Sequence, residues 1–157
     1  QGGAEGPWHA RLPHFRAEFT PSAGDELQAE YLLPRDRAVA AIAALDGLAS
    51  RIAPLLLVCE LRTIAADDRW LSPCYGRDTV AIHFTWRKDP AAVGALLPEI
   101  EDRLAPFDPR PHWGKLFTLP PARIRASYPR LETFARLMAS YDPEGKFRNA
   151  FIDGIVS

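Results

Sequence analysis

The sequence predicts an α+β fold in which antiparallel strands form one sheet and helices cover one of its faces. Polar and apolar residues alternate at residues 58–64 and again at residues 80–86, which is typical of strands. Apolar residues at helical spacing precede the first of these segments and follow the second. The predicted order is therefore strand, helix, strand, strand, helix, strand.

The first strand and the first helix are predicted at residues 26–33 and 34–52. Alternating side chains indicate the strand, and Pro34 suits the first turn of a helix. The helix prediction rests on apolar residues that recur at helical spacing despite Gly47. These residues are Val39, Ile42, Ala43, Leu45 and Leu48.

The second and third strands are predicted at residues 55–64 and 79–87. A polar loop at residues 65–78 separates them, and loops of this size within compact domains are often functional. Alternation predicts one apolar face, formed by Leu57, Cys59, Leu61, Val80, Ile82, Phe84 and Trp86. The opposite face collects the polar residues Glu60, Arg62, His83, Thr85 and Arg87.

This polar face has two interpretations. An antiparallel sheet often has one solvated face, and charges there require no further explanation. However, the apolar residues Leu56, Val58 and Ile64 lie on the same face. They indicate that something covers it, and covered polar groups need partners or a ligand.

The second helix is predicted at residues 90–104, followed by a short fourth strand at residues 112–117. Five residues form the helix's apolar stripe: Val93, Leu96, Leu97, Ile100 and Leu104. The order βαββαβ is the ferredoxin-like arrangement, in which right-handed crossovers place both helices on one side of the sheet. The polar face is then left open on the other side.

The predicted ferredoxin-like domain spans residues 26–117, between a lead and a tail. Residues 1–25 form an irregular lead whose aromatic side chains should pack on this domain or on a partner from the full protein. Residues 118–157 are expected to be a structural tail of the same domain, with a helix at residues 129–140 and a turn at residues 142–145. The helix stripe is Leu131, Phe134, Leu137 and Met138, and residues 147–152 should pack back through aromatic side chains.

Composition excludes several classes of protein. The chain has 157 residues and a formal net charge of −1, which does not favour binding to nucleic acid or to an anionic membrane. Its apolar segments are too short to span a bilayer, and its first residues lack a signal peptide, so a cytoplasmic location is expected. The histidine and cysteine spacings predict no metal site.

The two cysteines are predicted to differ in burial. Cys59 is expected in the core, and Cys74 lies in a turn that could leave it partly exposed. A disulfide between them is the less favoured alternative, because two cysteines do not make a disulfide framework.

Four short motifs resemble the C-terminal substrate domain of the flavin-dependent sugar and polyol oxidases. They are Glu60-Leu-Arg62, His83-Phe-Thr85, Pro111-His-Trp-Gly-Lys115 and Asp142-Pro-Glu-Gly-Lys-Phe-Arg-Asn149. Residues 12–16, 19–22 and 62–68 are most similar to the bacterial alditol and xylitol oxidases. The resemblance covers nearly the whole chain, and its specificity comes from the four motifs occurring in this order.

The resemblance implies an FAD-dependent oxidase that converts a terminal polyol hydroxyl to an aldehyde, with O2 reduced to hydrogen peroxide. It implies that FAD is bound mainly by an N-terminal domain outside this chain, so that this chain alone should be inactive. Glu60, Arg62 and Thr85 would bind the polyol, because carboxylate, guanidinium and hydroxyl groups match its hydroxyls. His83 would be the base, and Lys115 would stabilise developing negative charge. Arg62 and Lys115 would also lie near the flavin ring.

Other roles and functions remain as alternatives. Arg87, His112 and Trp113 are expected to support the site structurally, and Cys74 and Tyr75 could line its entrance. Within the family, the alternative substrate is an aldonolactone, such as L-gulono-1,4-lactone or D-arabinono-1,4-lactone. A different class is a non-catalytic ferredoxin-like module that binds a ligand or partner on the open sheet face.

Overall fold

The computed structural model describes residues 5–7 and 25–156. Four antiparallel strands form one sheet in the order β2-β3-β1-β4. The strands are β1 (Glu26–Pro34), β2 (Leu56–Ile64), β3 (Thr79–Arg87) and β4 (Arg110–Pro111). This order confirms the predicted ferredoxin-like fold. The expected packing of the aromatic lead falls on residues 8–24, which lie outside the described residues.

The first predicted helix is divided into short segments. A 3-10 turn (Arg35–Arg37) leads into α1 (Ala38–Leu45), and a second 3-10 turn (Asp46–Leu48) leads into α2 (Ala49–Ile52). The interruption contains Gly47, the residue with the least helical propensity in this stretch. The predicted stripe was partly wrong, since Val39 is 83% exposed and Ile42 is also exposed. The buried stripe is Ala41, Leu45, Leu48 and Ile52.

The second helix, α3 (Pro90–Leu104), has the predicted bounds and the predicted buried stripe. Its start is fixed by Asp89, whose carboxylate accepts a hydrogen bond from the backbone N–H of Ala92 at 3.0 Å. Pro90 occupies the first turn, where its missing N–H costs no helical hydrogen bond. In the described part of the chain, no helix combines the length and the apolar character needed to cross a membrane.

The main core lies between the helices and one face of β1 and β3. Its strand residues are Ala29, Tyr31, Leu33, Val80, Ile82, Phe84 and Trp86. Phe84 and Trp86 stack with ring centroids 4.8 Å apart. A buried polar contact joins the sheet to α3, because the Tyr31 hydroxyl donates a hydrogen bond to Glu101 Oε1 at 2.8 Å.

The prediction that Leu57, Cys59 and Leu61 of β2 belong to this core was wrong. Leu56, which was expected on the polar face, packs against the core instead, because a shift in register pairs it with Trp86. Cys59 is exposed, and the exposed fractions of Leu57 and Leu61 are 48% and 56%. Pairing places Cys59 beside Phe84 and Leu61 beside Ile82, so both do share the helix side of the sheet. However, β2 is an edge strand, and the helices cover mainly β3 and β1. Alternation identifies a face but does not show whether anything covers it.

The fourth strand was predicted at residues 112–117 and forms earlier. Regular pairing with β1 is limited to Arg110 and Pro111. The chain then turns, with the Lys115 N–H bonded to the His112 carbonyl at 3.0 Å, and it touches β1 once more through Leu116. This turn interrupts the ladder and places the Lys115 side chain beside the sheet.

Three helices follow instead of the single one predicted: α4 (Pro121–Ser127), α5 (Leu131–Tyr141) and α6 (Ala150–Val156). They form a second core next to β4, which contains Ile124, Tyr128, Leu131 and Ile155. Of the predicted α5 stripe only Leu131 is buried, and Leu137 is exposed. The turn at residues 142–145 is confirmed, with Gly145 at a φ of 69°. Phe151 packs back on Trp113 as expected, whereas Phe147 is 81% exposed.

The loop between β2 and β3 is held by Arg110. This buried guanidinium donates hydrogen bonds to the carbonyls of Pro73 and Tyr75 at 3.0 and 3.2 Å, and to that of Ser127 in α4 at 2.9 Å. Cys74, a residue of this loop, is buried against Leu32 and Ala81 of the sheet, contrary to the prediction that it is partly exposed. Both cysteines are free thiols.

Candidate functional site

The pairing register brings polar side chains into a row on the sheet face opposite the helices. His83 on β3 is paired with Glu30 on one side and with Glu60 on the other. Residues that are paired across neighbouring strands share a face, so these three side chains lie side by side. Thr85 follows His83 by two residues and therefore lies on the same face.

His83 makes contacts through both ring nitrogens. Its Nε2 lies 3.1 Å from Thr85 Oγ1. Its Nδ1 lies 3.1 Å from Glu30 Oε2 and 2.9 Å from Lys115 Nζ. The His83 side chain is 5% exposed. These contacts hold its ring in the centre of the sheet.

Lys115 reaches the row from the turn after β4. Its ammonium group donates a hydrogen bond to Glu30 Oε2. The side chain is 15% exposed, so it remains accessible from the open side of the sheet. The turn at residues 112–115 explains this placement, because a regular strand would have carried the chain along the edge of β1.

Arg62 and Glu60 form the more accessible part of the cluster. Arg62 NH2 donates to Glu60 Oε2, while NH1 lies 3.4 Å from Glu30 Oε1. The exposed fractions of the two side chains are 44% and 45%. They therefore present a carboxylate and a guanidinium to a ligand on this face, each with hydrogen-bonding capacity left over.

Burial and charge shift two of these groups. Burial raises the pKa of Glu30, but the hydrogen bonds and charges of Lys115 and His83 outweigh it, and the net pKa lies below the ordinary value. Burial lowers the pKa of His83, and the charges of Lys115 and Arg62 lower it further, against the opposing effect of Glu30. The lowered pKa of His83 favours the neutral imidazole, which is the state required of a base.

The structure brings together all five predicted site residues: Glu60, Arg62, His83, Thr85 and Lys115. It adds Glu30, which the sequence analysis did not identify. The alternation in β1 contained part of the signal, because Glu30 faces away from Ala29, Tyr31 and Leu33, and the structure makes β1 a central strand. A carboxylate on that face of a central strand lies beside the predicted site.

Arg87, His112 and Trp113 were expected to support the site structurally, and Cys74 and Tyr75 to line its entrance. Arg87 is exposed at the end of β3, and the exposed His112 accepts a hydrogen bond from the Gly114 N–H at 3.1 Å. Trp113 packs edge-to-face on Tyr128 with ring centroids 5.1 Å apart. Cys74 does not line an entrance, because it is buried against the sheet. Tyr75 is half-buried.

The surface grooves of the described residues include two wide, open ones. One of about 510 Å³ borders the site and is lined by Glu26, Leu27, Gln28, Trp113, Gly114, Lys115 and Leu116. The other, of about 610 Å³, lies at residues 68–71 and Phe134. We associate the first with the site, because Lys115 forms part of its wall.

Comparison with known proteins identifies the family of this chain. Residues 25–155 match the family described as D-arabinono-1,4-lactone oxidase. The chain is 57% identical over 152 residues to an alditol oxidase from Streptomyces sp. (strain IKD472 / FERM P-14339), covering 97% of this chain and 37% of that protein. It is 34% identical over 125 residues to an L-gulono-1,4-lactone dehydrogenase from Mycobacterium tuberculosis, covering 78% of this chain and 28% of that protein.

The similarity extends to animal proteins at lower coverage. An L-gulonolactone oxidase from Scyliorhinus torazame is 32% identical over 100 residues, which is 60% of this chain and 22% of that protein. The chain thus spans only 22% to 37% of the length of these curated relatives. The predicted resemblance to the sugar and polyol oxidases is confirmed, and the chain belongs to the D-arabinono-1,4-lactone oxidase family.

Proposed function

We propose that this chain is the substrate domain of an FAD-dependent alditol oxidase. The full protein would oxidise a terminal hydroxyl of a polyol such as xylitol or sorbitol to an aldehyde, while O2 is reduced to hydrogen peroxide. The observation that carries the proposal is the row of hydrogen-bonding groups on the open sheet face, in a chain 57% identical to an alditol oxidase. FAD itself would be held mainly by an N-terminal domain outside this chain.

The residues present are compatible with a flavin beside this face. FAD, when bound, accepts the hydride that leaves the carbinol carbon and is reoxidised by O2. Lys115 and Arg62 offer cationic groups on the accessible side of the cluster, with side chains 15% and 44% exposed. Cations there suit the negative charge that a flavin ring gains on reduction.

Polyol binding would use Glu60, Arg62 and Thr85. A polyol is a row of hydroxyls, each of which both donates and accepts hydrogen bonds. The Glu60 carboxylate accepts them, the Arg62 guanidinium donates them, and the two side chains already hold each other in place. This pairing reduces the conformational entropy lost when a substrate binds.

His83 and Lys115 would act on the reacting hydroxyl. A neutral imidazole can take the hydroxyl proton as hydride leaves the adjacent carbon. The Lys115 ammonium, 2.9 Å from the His83 ring, would stabilise the negative charge that develops on oxygen. Loss of either group is expected to lower the reduction rate about 10²-fold or more.

The alternative substrate is an aldonolactone. The family description and the 34% identity to an L-gulono-1,4-lactone dehydrogenase support it. The same donors and acceptors would bind ring hydroxyls, so the site geometry alone does not separate the two substrates. The alditol proposal is preferred because the identity to the alditol oxidase is higher and covers more of the chain.

Oxygen uptake tests the substrate directly. The full-length protein, purified with its flavin, should consume O2 with xylitol and sorbitol faster than with L-gulono-1,4-lactone. Faster uptake with the lactone would replace the alditol proposal by the aldonolactone one. No uptake with any of the three would favour a non-catalytic binding module.

A pair of lysine variants tests the site. Lys115→Met should lower the rate of flavin reduction, measured by stopped-flow absorbance under anaerobic conditions. Lys88→Met is the matched control, because Lys88 is an exposed lysine on the segment after β3 that forms a salt bridge with Asp25. Equal rates in the two variants would remove Lys115 from the proposed mechanism.

A further inference from the structure

Glu30 is the most enclosed charged group of the polar cluster. Its side chain is 7% exposed, whereas those of Glu60 and Arg62 are 45% and 44% exposed. His83 and Lys115 both contact its carboxylate. A group in this position acts on a substrate through its neighbours.

The carboxylate of Glu30 gathers three side chains from separate parts of the sheet. Oε2 contacts His83 Nδ1 at 3.1 Å and accepts a hydrogen bond from Lys115 Nζ. Oε1 lies 3.4 Å from Arg62 NH1. Burying a carboxylate is unfavourable unless such partners surround it. Three polar partners therefore offset the cost of burying the Glu30 carboxylate and fix its position.

The position of the His83 proton decides what this ring can do. With the proton on Nδ1, His83 and Lys115 both donate to Glu30 Oε2, and the Nε2 lone pair points at Thr85. With the proton on Nε2, the ring donates to Thr85 Oγ1 and accepts from Lys115, so neither nitrogen can take a further proton. Each arrangement has one unfavourable contact: a proton on Nδ1 faces the Lys115 ammonium at 2.9 Å, whereas a lone pair on Nδ1 faces the Glu30 carboxylate at 3.1 Å. The carboxylate favours the first arrangement, because Glu30 Oε2 then accepts from both donors.

We propose that Glu30 is a positioning residue that holds the His83 proton on Nδ1 and so keeps the Nε2 lone pair available to the substrate hydroxyl beside Thr85. The inference rests on the proposed role of His83 in polyol oxidation. The substrate O–H bond breaks, its proton joins Nε2, and the imidazolium that forms donates from Nδ1 to the Glu30 carboxylate. A carboxylate that orients an imidazole and stabilises its cation in this way is established in acyl transfer.

The proton position can be measured without any turnover. In a neutral imidazole the protonated and the unprotonated nitrogens give well-separated 15N resonances. The full-length protein, labelled with 15N-histidine and compared with His83→Gln for assignment, should show the His83 proton on Nδ1 at neutral pH. A proton on Nε2 would overturn the inference, because Lys115 would then be the donor to Nδ1.

Two substitutions of Glu30 separate its hydrogen bonding from its charge. Glu30→Leu removes both acceptor oxygens, so the His83 proton should move to Nε2 and flavin reduction should slow by about 100-fold or more. Glu30→Gln keeps one acceptor oxygen for Nδ1–H, so it should retain the wild-type proton position and be slowed less than Glu30→Leu. If the leucine variant does not fold, the glutamine variant still tests the inference, which fails if its His83 proton lies on Nε2.

Glu101→Gln is the matched control for Glu30→Gln. Glu101 is also a buried glutamate at 4% exposed, but it binds Tyr31 and Thr118 between the sheet and α3. Its variant should lose stability and keep the wild-type flavin reduction rate per folded molecule. A loss of rate as large as in Glu30→Gln would show that any buried charge has the same effect, and the inference would fail.

The two proposals can fail separately. If the full-length protein oxidises none of the polyols but His83 carries its proton on Nδ1 in a Glu30-dependent manner, the positioning role stands and the proposed function falls. If polyols are oxidised with the proton on Nε2, the proposed function stands and Glu30 is not the positioning residue.

Discussion

Replacing Phe84 with alanine should destabilise the chain far more than replacing Leu61, although both residues lie on the helix side of the sheet. Phe84 is 2% exposed and stacks on Trp86, so its loss removes buried apolar contact and leaves a cavity. Such substitutions cost about 3–5 kcal/mol of unfolding free energy. Leu61 is 56% exposed, so its truncation loses less than half of a leucine's transfer energy and creates no enclosed cavity. We expect about 0.5–1 kcal/mol.

Urea unfolding followed by far-UV circular dichroism measures both variants. Circular dichroism is preferred to fluorescence, because the Phe84 substitution alters the surroundings of Trp86 directly. The midpoint should fall strongly for Phe84→Ala and slightly for Leu61→Ala, with unchanged slopes. Equal costs would refute the reasoning, since they would show that the face of a strand matters more than the cover provided by the helices.

Three further outcomes are expected. In the full-length protein, His83→Ala and Lys115→Ala should reduce the flavin reduction rate far more than stability. The lysine variant also removes one donor from buried Glu30, which should cost about 1–3 kcal/mol of unfolding free energy. Unfolding of either variant with an intact reduction rate would place these residues in the core. Because the pKa of His83 is lowered from 6.5 and that of Glu30 from 4.5, the unfolded chain binds these protons more readily. Urea midpoints should therefore fall as the pH drops below about 6.5, and again below about 4.5; a midpoint that rises between pH 7 and 6 would contradict this sign. Tyr31→Phe removes a donor to buried Glu101 and should cost about 1–3 kcal/mol in the same assay. A cost of a few tenths would show that the hydrogen bonds from Thr118 are sufficient for Glu101.

The parts of the fold that the sequence predicted correctly are those governed by local periodicity. The bounds of β3 and α3 follow from alternation and from a five-residue stripe, with Asp89 and Pro90 defining the helix start. The placement of both helices on one side of the sheet followed from crossover rules that constrain any βαββαβ chain. These features depend on neighbouring residues and on general rules of connection, so one sequence was sufficient.

The errors concern features that depend on distant parts of the chain. Leu61 and Cys59 have the alternation of core residues, but their exposure depends on where the helices end over the sheet. Cys74 is buried because Arg110, far along the chain, holds its loop against the sheet. The role of Glu30 depends on its register with His83 and on a turn that delivers Lys115, and neither can be derived from spacing alone.

The Arg110 side chain links two segments that are distant in sequence. Its guanidinium binds carbonyls of the β2–β3 loop and of α4 at the same time, so neither segment can leave without disturbing the other. In native-state hydrogen exchange, the protected amides of both segments should therefore exchange in a common partial opening. Amides in the centre of β3 should exchange only when the whole sheet unfolds.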